Sequence, residues 1–393
     1  MEFPHEGQPS DAPEIGRKTT GGIRSVLRAA TMMRARVCLG LFAGLAIACS
    51  PPPPVRSAAE GAGAAIGSRS AAPGAESEQR IATLGTCTLE SGEKIDDCRV
   101  GYRTFGKLDA SKSNVVLFPT WFSGDTKALT EIVPDKIVDT KRFFLVLVDA
   151  LGNGVSSAPS SSRSQSRLRF PKFTIHDMVE SQRRLLREVL GVEKVFAVVG
   201  ISMGGMQAYE WAVSHPAEVD RIVPIVGTPQ LTTTDRLLWT TELHLLQGSK
   251  AYADGEYRGR PKIPALRELH WLMLTTPAHR NAETTRSAFP SWVATAGSDI
   301  AFDWNDWHRQ LEAMLSHDVA RADGGDLALA AKRVKAKGLV VVAEHDQMVN
   351  PEPSKAFAKA MNASLVVLDG PCGHMIPSCD PSVAGRVKAF LEE

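Results

Sequence analysis

Apolar residues fall in short blocks along most of the chain, and the blocks alternate with stretches of helical period. The blocks are NVVLFPT (114–120), RFFLVLVDA (142–150), VFAVVG (195–200), RIVPIVG (221–227), GLVVVAEHD (338–346) and SLVVLDG (364–370). They are rich in β-branched residues and have no polar face, which predicts strands buried on both sides of a parallel sheet. Residues 83–106 predict a hairpin turning at Ser91-Gly92 and then a longer strand. Between blocks, Ile175, Met178, Val179, Leu185, Leu186, Val189 and Leu190 recur at helical spacing behind a Thr174-x-x-Asp177 cap. Such alternation predicts an α/β fold with a mostly parallel, doubly wound sheet. Residues 228–329 break the rhythm. They hold no clear buried strand and five of the seven tryptophans, and Leu237, Leu238, Leu243, Leu245 and Leu246 form an apolar group. That predicts an inserted helical lid over the C-terminal edge of the sheet, where open parallel sheets place their active sites.

The first eighty residues follow another pattern. A polar lead (1–31) precedes Met32-Met33-Arg34-Ala35-Arg36, then the apolar run VCLGLFAGLAIA (37–48) and Cys49. A basic start, a short apolar run and small residues describe a secretory signal, with Met32 or Met33 as alternative starts. The run is short for a membrane span. Ala46-Ile47-Ala48-Cys49 predicts lipidation at Cys49, with Ala46 where such boxes usually have Leu. Residues 50–82 have few large apolar side chains and predict a disordered linker. The expected organisation is therefore a leader at 1–49, a linker at 50–82, a core at 83–229 and 330–393, and a lid at 230–329. The expected location is export, as a membrane-anchored lipoprotein or in the periplasm; it is cytoplasmic if the leader is no signal.

Net charge is +1, and no basic stripe points to nucleic acid. Membrane association is expected only through the lipid. Oligomeric state stays open, a homodimer included. Besides Cys38 and Cys49, four cysteines remain: Cys87, Cys98, Cys372 and Cys379. Of three connectivities, spacing favours 87–98 with 372–379, the alternative being four free thiols.

The candidate chemistry lies at "GISMGG" (200–205). It sits between the strand-like block at 195–199 and a helical pattern of Met206, Tyr209 and Val213 that Pro216 ends. Gly-x-Ser-x-Gly in that context is a nucleophile elbow. Ser202 is the expected nucleophile, at a helix N-terminus that favours developing negative charge. A serine hydroxyl needs a base, and the base needs an orienting acid. His374 and Asp346 follow successive strands in the chain order Ser, acid, His. Glu344 and Asp369 are rival acids, the first still within its strand and the second very close to His374. An oxyanion hole needs two backbone N–H groups; Met203 supplies one, and Phe122 or Trp121, on the loop after the 114–120 block, the other. No cofactor or metal is called for, and the expected partner is a small-molecule acyl ester or acyl donor.

The chain resembles the homoserine O-acetyltransferase family. The likeness rests on "LESGE" (89–93), "YRTFGKLD" (102–109), "FPKFTIHDMVESQRRLL" (170–186), "KVFAVVGISMGGMQAYEWAVSHP" (194–216) and the "GH" of 373–374. It implies an α/β-hydrolase core with a helical lid, and acyl transfer through an acyl-serine on Ser202 with Asp346 and His374. The substrate-reading positions depart from that family. Met375 stands where the family has Asp after the catalytic His. Leu243, flanked by Glu242 and His244, falls where it has a lid Arg. "TWFSG" replaces an "HALTG"-like loop. A zwitterionic amino acid needs a partner for each charge, and an exported enzyme meets little acetyl-CoA. The expectation is therefore ester hydrolysis or acyl transfer on a substrate other than homoserine. The alternatives are a true homoserine O-acetyltransferase or a non-catalytic, lipid-tethered binding protein.

Overall fold

The structure, a computed structural model, describes residues 77–298 and 301–393. The leader with Cys49, and the linker up to residue 76, lie outside the described residues. The apolar blocks become strands β5 (Val115–Pro119), β6 (Phe144–Val148), β7 (Val195–Ile201), β8 (Val219–Ile225), β9 (Lys337–Ala343) and β10 (Ser364–Leu368). Ahead of them come β1 (Arg80–Thr83), the two-residue hairpin strands β2 (Cys87–Thr88) and β3 (Lys94–Ile95), and β4 (Arg99–Phe105). Eight strands form one sheet in the order β1-β4-β6-β5-β7-β8-β9-β10. The pairs β1–β4 and β4–β6 are antiparallel and the rest parallel. It is the mixed, mostly parallel sheet expected from the alternation.

Successive side chains of a strand point to opposite faces, and here both faces are covered. Leu117, Val146, Val148, Val198, Ile222 and Val340 belong to one buried cluster. Their strand neighbours Val116, Leu145, Leu147, Val199, Val223 and Val341 belong to another. The covering helices outside the lid are α1 (Thr126–Thr130), α2 (Ile175–Arg184) and α3 (Met203–Ser214). The lid carries α4 (Thr233–Gln247), α5 (Pro264–Leu274), α6 (Pro277–Glu283), α7 (Phe289–Ala296) and α8 (Trp304–Leu315). Then follow α9 (Leu327–Arg333), α10 (Glu352–Ala360), α11 (Ile376–Cys379) and α12 (Ser382–Glu392). The Thr174 and Thr232 side chains close capping boxes at the starts of α2 and α4.

Two boundaries differ from expectation. Strand β1 starts at Arg80, inside the stretch assigned to the linker. Of its four residues only Ala82 is buried, so it carries no apolar block, and pairing with β4 places it. Helix α9 runs across the expected lid boundary at 329–330, because its alanines pack on the core. Disulfides join Cys87 to Cys98 and Cys372 to Cys379. The first ties the small hairpin to the start of β4, and the second closes the loop that carries His374.

Candidate active site

Strand β7 ends where α3 begins, and the turn between them is tight. Ser202 has φ +57° and ψ −121°, a conformation that costs a non-glycine residue about 1–3 kcal/mol. The surrounding glycines make it affordable. A Cβ on Gly200 would lie 2.2 Å from the Gly204 carbonyl, and one on Gly204 would lie 2.7 Å from the Pro119 oxygen. Gly227 packs against Gly205 and the Ser202 carbonyl just as closely, and the preceding Val226 is itself strained at φ +44°. The Ser202 N–H donates to the Ile225 carbonyl at 2.8 Å, which fixes the turn to β8.

His374 sits in a short turn after β10 and Asp346 in the loop after β9. His374 Nε2 is 2.9 Å from Ser202 Oγ, and His374 Nδ1 is 2.7 Å from Asp346 Oδ2. All three residues are under one-tenth exposed. The other Asp346 oxygen accepts the N–H groups of Met348 and Val349, which aims the carboxylate at the imidazole. Asp235, at the start of α4, accepts the Asn350 N–H on the same loop. Burial holds its carboxyl above the usual range, and the nearby Asp346 charge adds to that. The rival acids point elsewhere. Glu344 pairs with Lys355, and Asp369 pairs with His345 at the surface. Of the remaining histidines, His176 pairs with Glu210, His215 with Glu180, and buried His317 bonds the Thr228 carbonyl.

The loop 120–124 faces the elbow. The N–H groups of Met203, Trp121 and Phe122 have no acceptor among the described residues. Two buried glutamines hold this loop. Gln207, on α3, donates to the carbonyls of Thr120 (3.1 Å) and Met203 (3.0 Å), while its own oxygen accepts from Gln182. Gln310, on α8, accepts the Ser123 N–H at 2.9 Å and donates to the Leu151 carbonyl. Ser123 has φ +59°, so the lid helix steadies a strained residue. Sequence reasoning missed both glutamines. Gln207 lies inside the recognised "GISMGGMQ" stretch, but nothing near Gln310 marks it, since its partner lies 187 residues away.

The lid supplies an aromatic roof. The Phe122 ring meets Trp307 edge-on at 4.5 Å and lies 6.2 Å from Trp239, whose indole N–H donates to the Met348 carbonyl in the loop that carries Asp346. Met375, next to His374, is half-buried against the apolar cluster below it, and Leu243 is half-buried on α4.

A family model described as the alpha/beta hydrolase fold matches residues 115–378. The chain belongs to the α/β-hydrolase family. An ethyl acetate hydrolase of Pseudomonas veronii is 32% identical over 80% of this chain and 94% of its own length. A homoserine O-acetyltransferase of Leifsonia xyli is 30% identical over 73% of this chain and 81% of its own. The crystal structure of an acetylester hydrolase from Corynebacterium glutamicum superposes with a TM-score of 0.75 at 29% identity, covering 80% of this chain and 96% of that one. This α/β-hydrolase is thus a hydrolase or acyltransferase, related to esterases and to homoserine O-acetyltransferases, with a small ester or acyl compound as substrate.

Proposed function

We propose that this enzyme hydrolyses small carboxylic esters through an acyl-enzyme on Ser202. The observation that carries the reading is the hydrogen-bonded line from Ser202 Oγ through both imidazole nitrogens of His374 to Asp346, at 2.9 and 2.7 Å. His374 Nε2 takes the hydroxyl proton as Oγ attacks the ester carbonyl. Asp346 holds the imidazole in position and stabilises the imidazolium. The oxyanion that forms takes the N–H of Met203 and an N–H of the Trp121–Phe122 loop. His374 then returns the proton to the departing alcohol. Water repeats the sequence in reverse roles and frees the acid.

Met375 and Leu243 support an uncharged ester over homoserine. Neither can pair with a charge where an amino acid would need two partners. The acetyl-ester names of the relatives point to a short acyl group. The test is to offer short acyl esters with and without homoserine and to follow both products. Alcohol and carboxylic acid should appear in equal amounts and be unaffected by homoserine. Accumulation of O-acylhomoserine would overturn the hydrolase reading. Ester turnover by Ser202→Ala equal to that of the parent would overturn the acyl-serine.

We further infer export with a lipid on Cys49. Its support is the signal-like pattern at 32–49 and two disulfides, which persist in oxidising compartments. Mature protein should begin at Cys49, and Cys49→Ser should move it from the membrane to the soluble fraction. An intact N-terminus on cytoplasmic protein would contradict this.

A further inference from the structure

One stretch of chain touches three parts of the active site. Residues 227–239 leave β8 and enter the lid. At the start of the stretch Gly227 packs so closely on the elbow that a Cβ there would lie 2.9 Å from the Ser202 carbonyl oxygen. Further on, Asp235 and Trp239 stand four residues apart on α4, a spacing that puts them on one face of the helix. Both are buried. Asp235 Oδ1 accepts the Asn350 N–H at 2.9 Å, and Trp239 Nε1–H donates to the Met348 carbonyl at 3.2 Å. The ring of Trp239 lies 6.2 Å from that of Phe122, on the oxyanion loop.

These bonds fall on the backbone that aims the acid. Asp346 Oδ1 accepts the N–H groups of Met348 at 2.8 Å and Val349 at 3.0 Å. The next N–H, that of Asn350, goes to Asp235. Three successive amides of one turn are thus divided between two carboxylates, and the carbonyl of Met348 is taken by Trp239. Asp346 Oδ2 meets His374 Nδ1 at 2.7 Å only while that turn is held. Asp235 is itself well anchored. Its Oδ2 accepts the N–H and the hydroxyl of Thr232, each at 2.8 Å, which closes the capping box of α4. The helix start uses Oδ2; the bond made by Oδ1 serves the loop of Asp346.

Resting on the ester-hydrolase reading, we propose that Asp235 and Trp239 are positioning residues: they align Asp346 with His374 and, through the indole ring, couple that alignment to the oxyanion loop. The lid's first helix then does more than cover the site. It holds the acid from behind, and the same turn of helix reaches the loop that receives the oxyanion. A displacement of about 1 Å at a catalytic group can cost on the order of a hundredfold in rate. Loss of either residue should therefore appear in kcat, with the binding of a small ester little altered.

The experiment is a double-mutant cycle read in the hydrolysis of an acetyl ester, with kcat taken per folded molecule from the circular dichroism signal. Asp235→Ala should lower kcat about ten- to a hundredfold and leave KM nearly unchanged. Trp239→Phe keeps a ring against Phe122 and removes the N–H, and should lower kcat by about two- to tenfold, the order of one hydrogen bond. In an Asp346→Asn background the alignment is already lost. There each variant should cost less than about twofold more, as expected of residues that act as a unit. Should Asp235→Ala not fold, Trp239→Phe carries the same cycle without touching the helix cap. Parental kcat in both folded single variants, with only the melting temperature lowered, would overturn the proposal. So would losses that multiply in full with that of Asp346→Asn. Either result would leave ester hydrolysis intact. No ester turnover by the parent enzyme, with Ser202 unlabelled by a fluorophosphonate, would instead overturn the hydrolase reading and the positioning role with it.

Discussion

The elbow and the lid grip the same loop, residues 120–124, by different means. On the elbow side the fit is made of backbone: glycines at 200, 204 and 227 let β7, α3 and β8 approach to distances that no Cβ would allow. Gln207 adds its bond to Thr120 from within the same motif. On the lid side the grip is made of side chains that come from far along the chain: Gln310 on Ser123, and Trp307 and Trp239 on the Phe122 ring. The contrast teaches where each kind of change acts. Chemistry is held by short-range backbone geometry, which tolerates almost no substitution. The lid's grip rests on long-range packing, which can be altered without dismantling the elbow.

The largest effect should come from the elbow side. Ser202→Ala should lower kcat about a millionfold and Asp346→Asn about ten-thousandfold. Asp369→Asn, at the surface with His345, should leave kcat nearly unchanged. Steady-state kinetics of the three variants checks this, and a loss with Asp369→Asn but not Asp346→Asn would reassign the acid. Next comes the shared loop. Gln310→Leu should lower kcat by up to about a hundredfold with little change in KM, because a displacement of about 1 Å at the oxyanion loop costs that much. Gln207→Leu should do the same and also cost about 1–3 kcal/mol of stability, since it leaves the Gln182 amide N–H without its acceptor in the core. If Gln310→Leu kept full kcat, the Gln310 bond to Ser123 would have no part in placing the loop.

The disulfides divide the same way. Cys372→Ser with Cys379→Ser should lower turnover before it affects unfolding, because that ring carries His374. Cys87→Ser with Cys98→Ser should cost roughly 2–3 kcal/mol and spare the rate. Activity and thermal unfolding, each with and without reductant, separate the two.

The smallest effect is on stability against pH. On the elbow helix, burial pushes the Glu210 carboxyl up, but hydrogen bonds from His176 and Arg321 outweigh it and hold it well below the usual range. Its contribution is present above the ordinary carboxyl range and is lost as pH falls. In the lid, burial lifts Asp306 from 3.8 to about 8 against its bonds from Ser160, with Asp303 adding to the rise. Folded Asp306 therefore binds its proton more tightly than the unfolded chain, and its contribution is lost as pH rises from about 4 through about 8. Melting temperatures should show Asp306→Asn flattening the alkaline decline and Glu210→Gln flattening the acid one.

What was legible in the sequence divides along the same line. The parallel blocks, the elbow at 200–205 and the partners Asp346 and His374 could be read because each is a short pattern tied to a strand end. Strand β1 was not, since three of its four residues face solvent and only pairing with β4 makes it a strand. Nor was the roof. Trp239 and Trp307, which meet the Phe122 ring, lie on α4 and α8 with three helices between them in the chain, and their meeting depends on how α4 and α8 pack, which no local period encodes. Leu243 and Met375 were readable as departures from a family pattern, but the pairing of buried Glu242, beside Leu243, with His270 on α5 was not.

The central claim is the acyl-enzyme on Ser202, and it can be seen directly. The enzyme is mixed with an acetyl ester, quenched in acid within the first turnover, digested and measured by mass spectrometry. The peptide bearing Ser202 should gain one acetyl group, and the gain should vanish in Ser202→Ala and persist longer in His374→Ala if any forms. Rapid hydrolysis with no adduct on that peptide, or an adduct on a different residue that survives Ser202→Ala, would contradict the account.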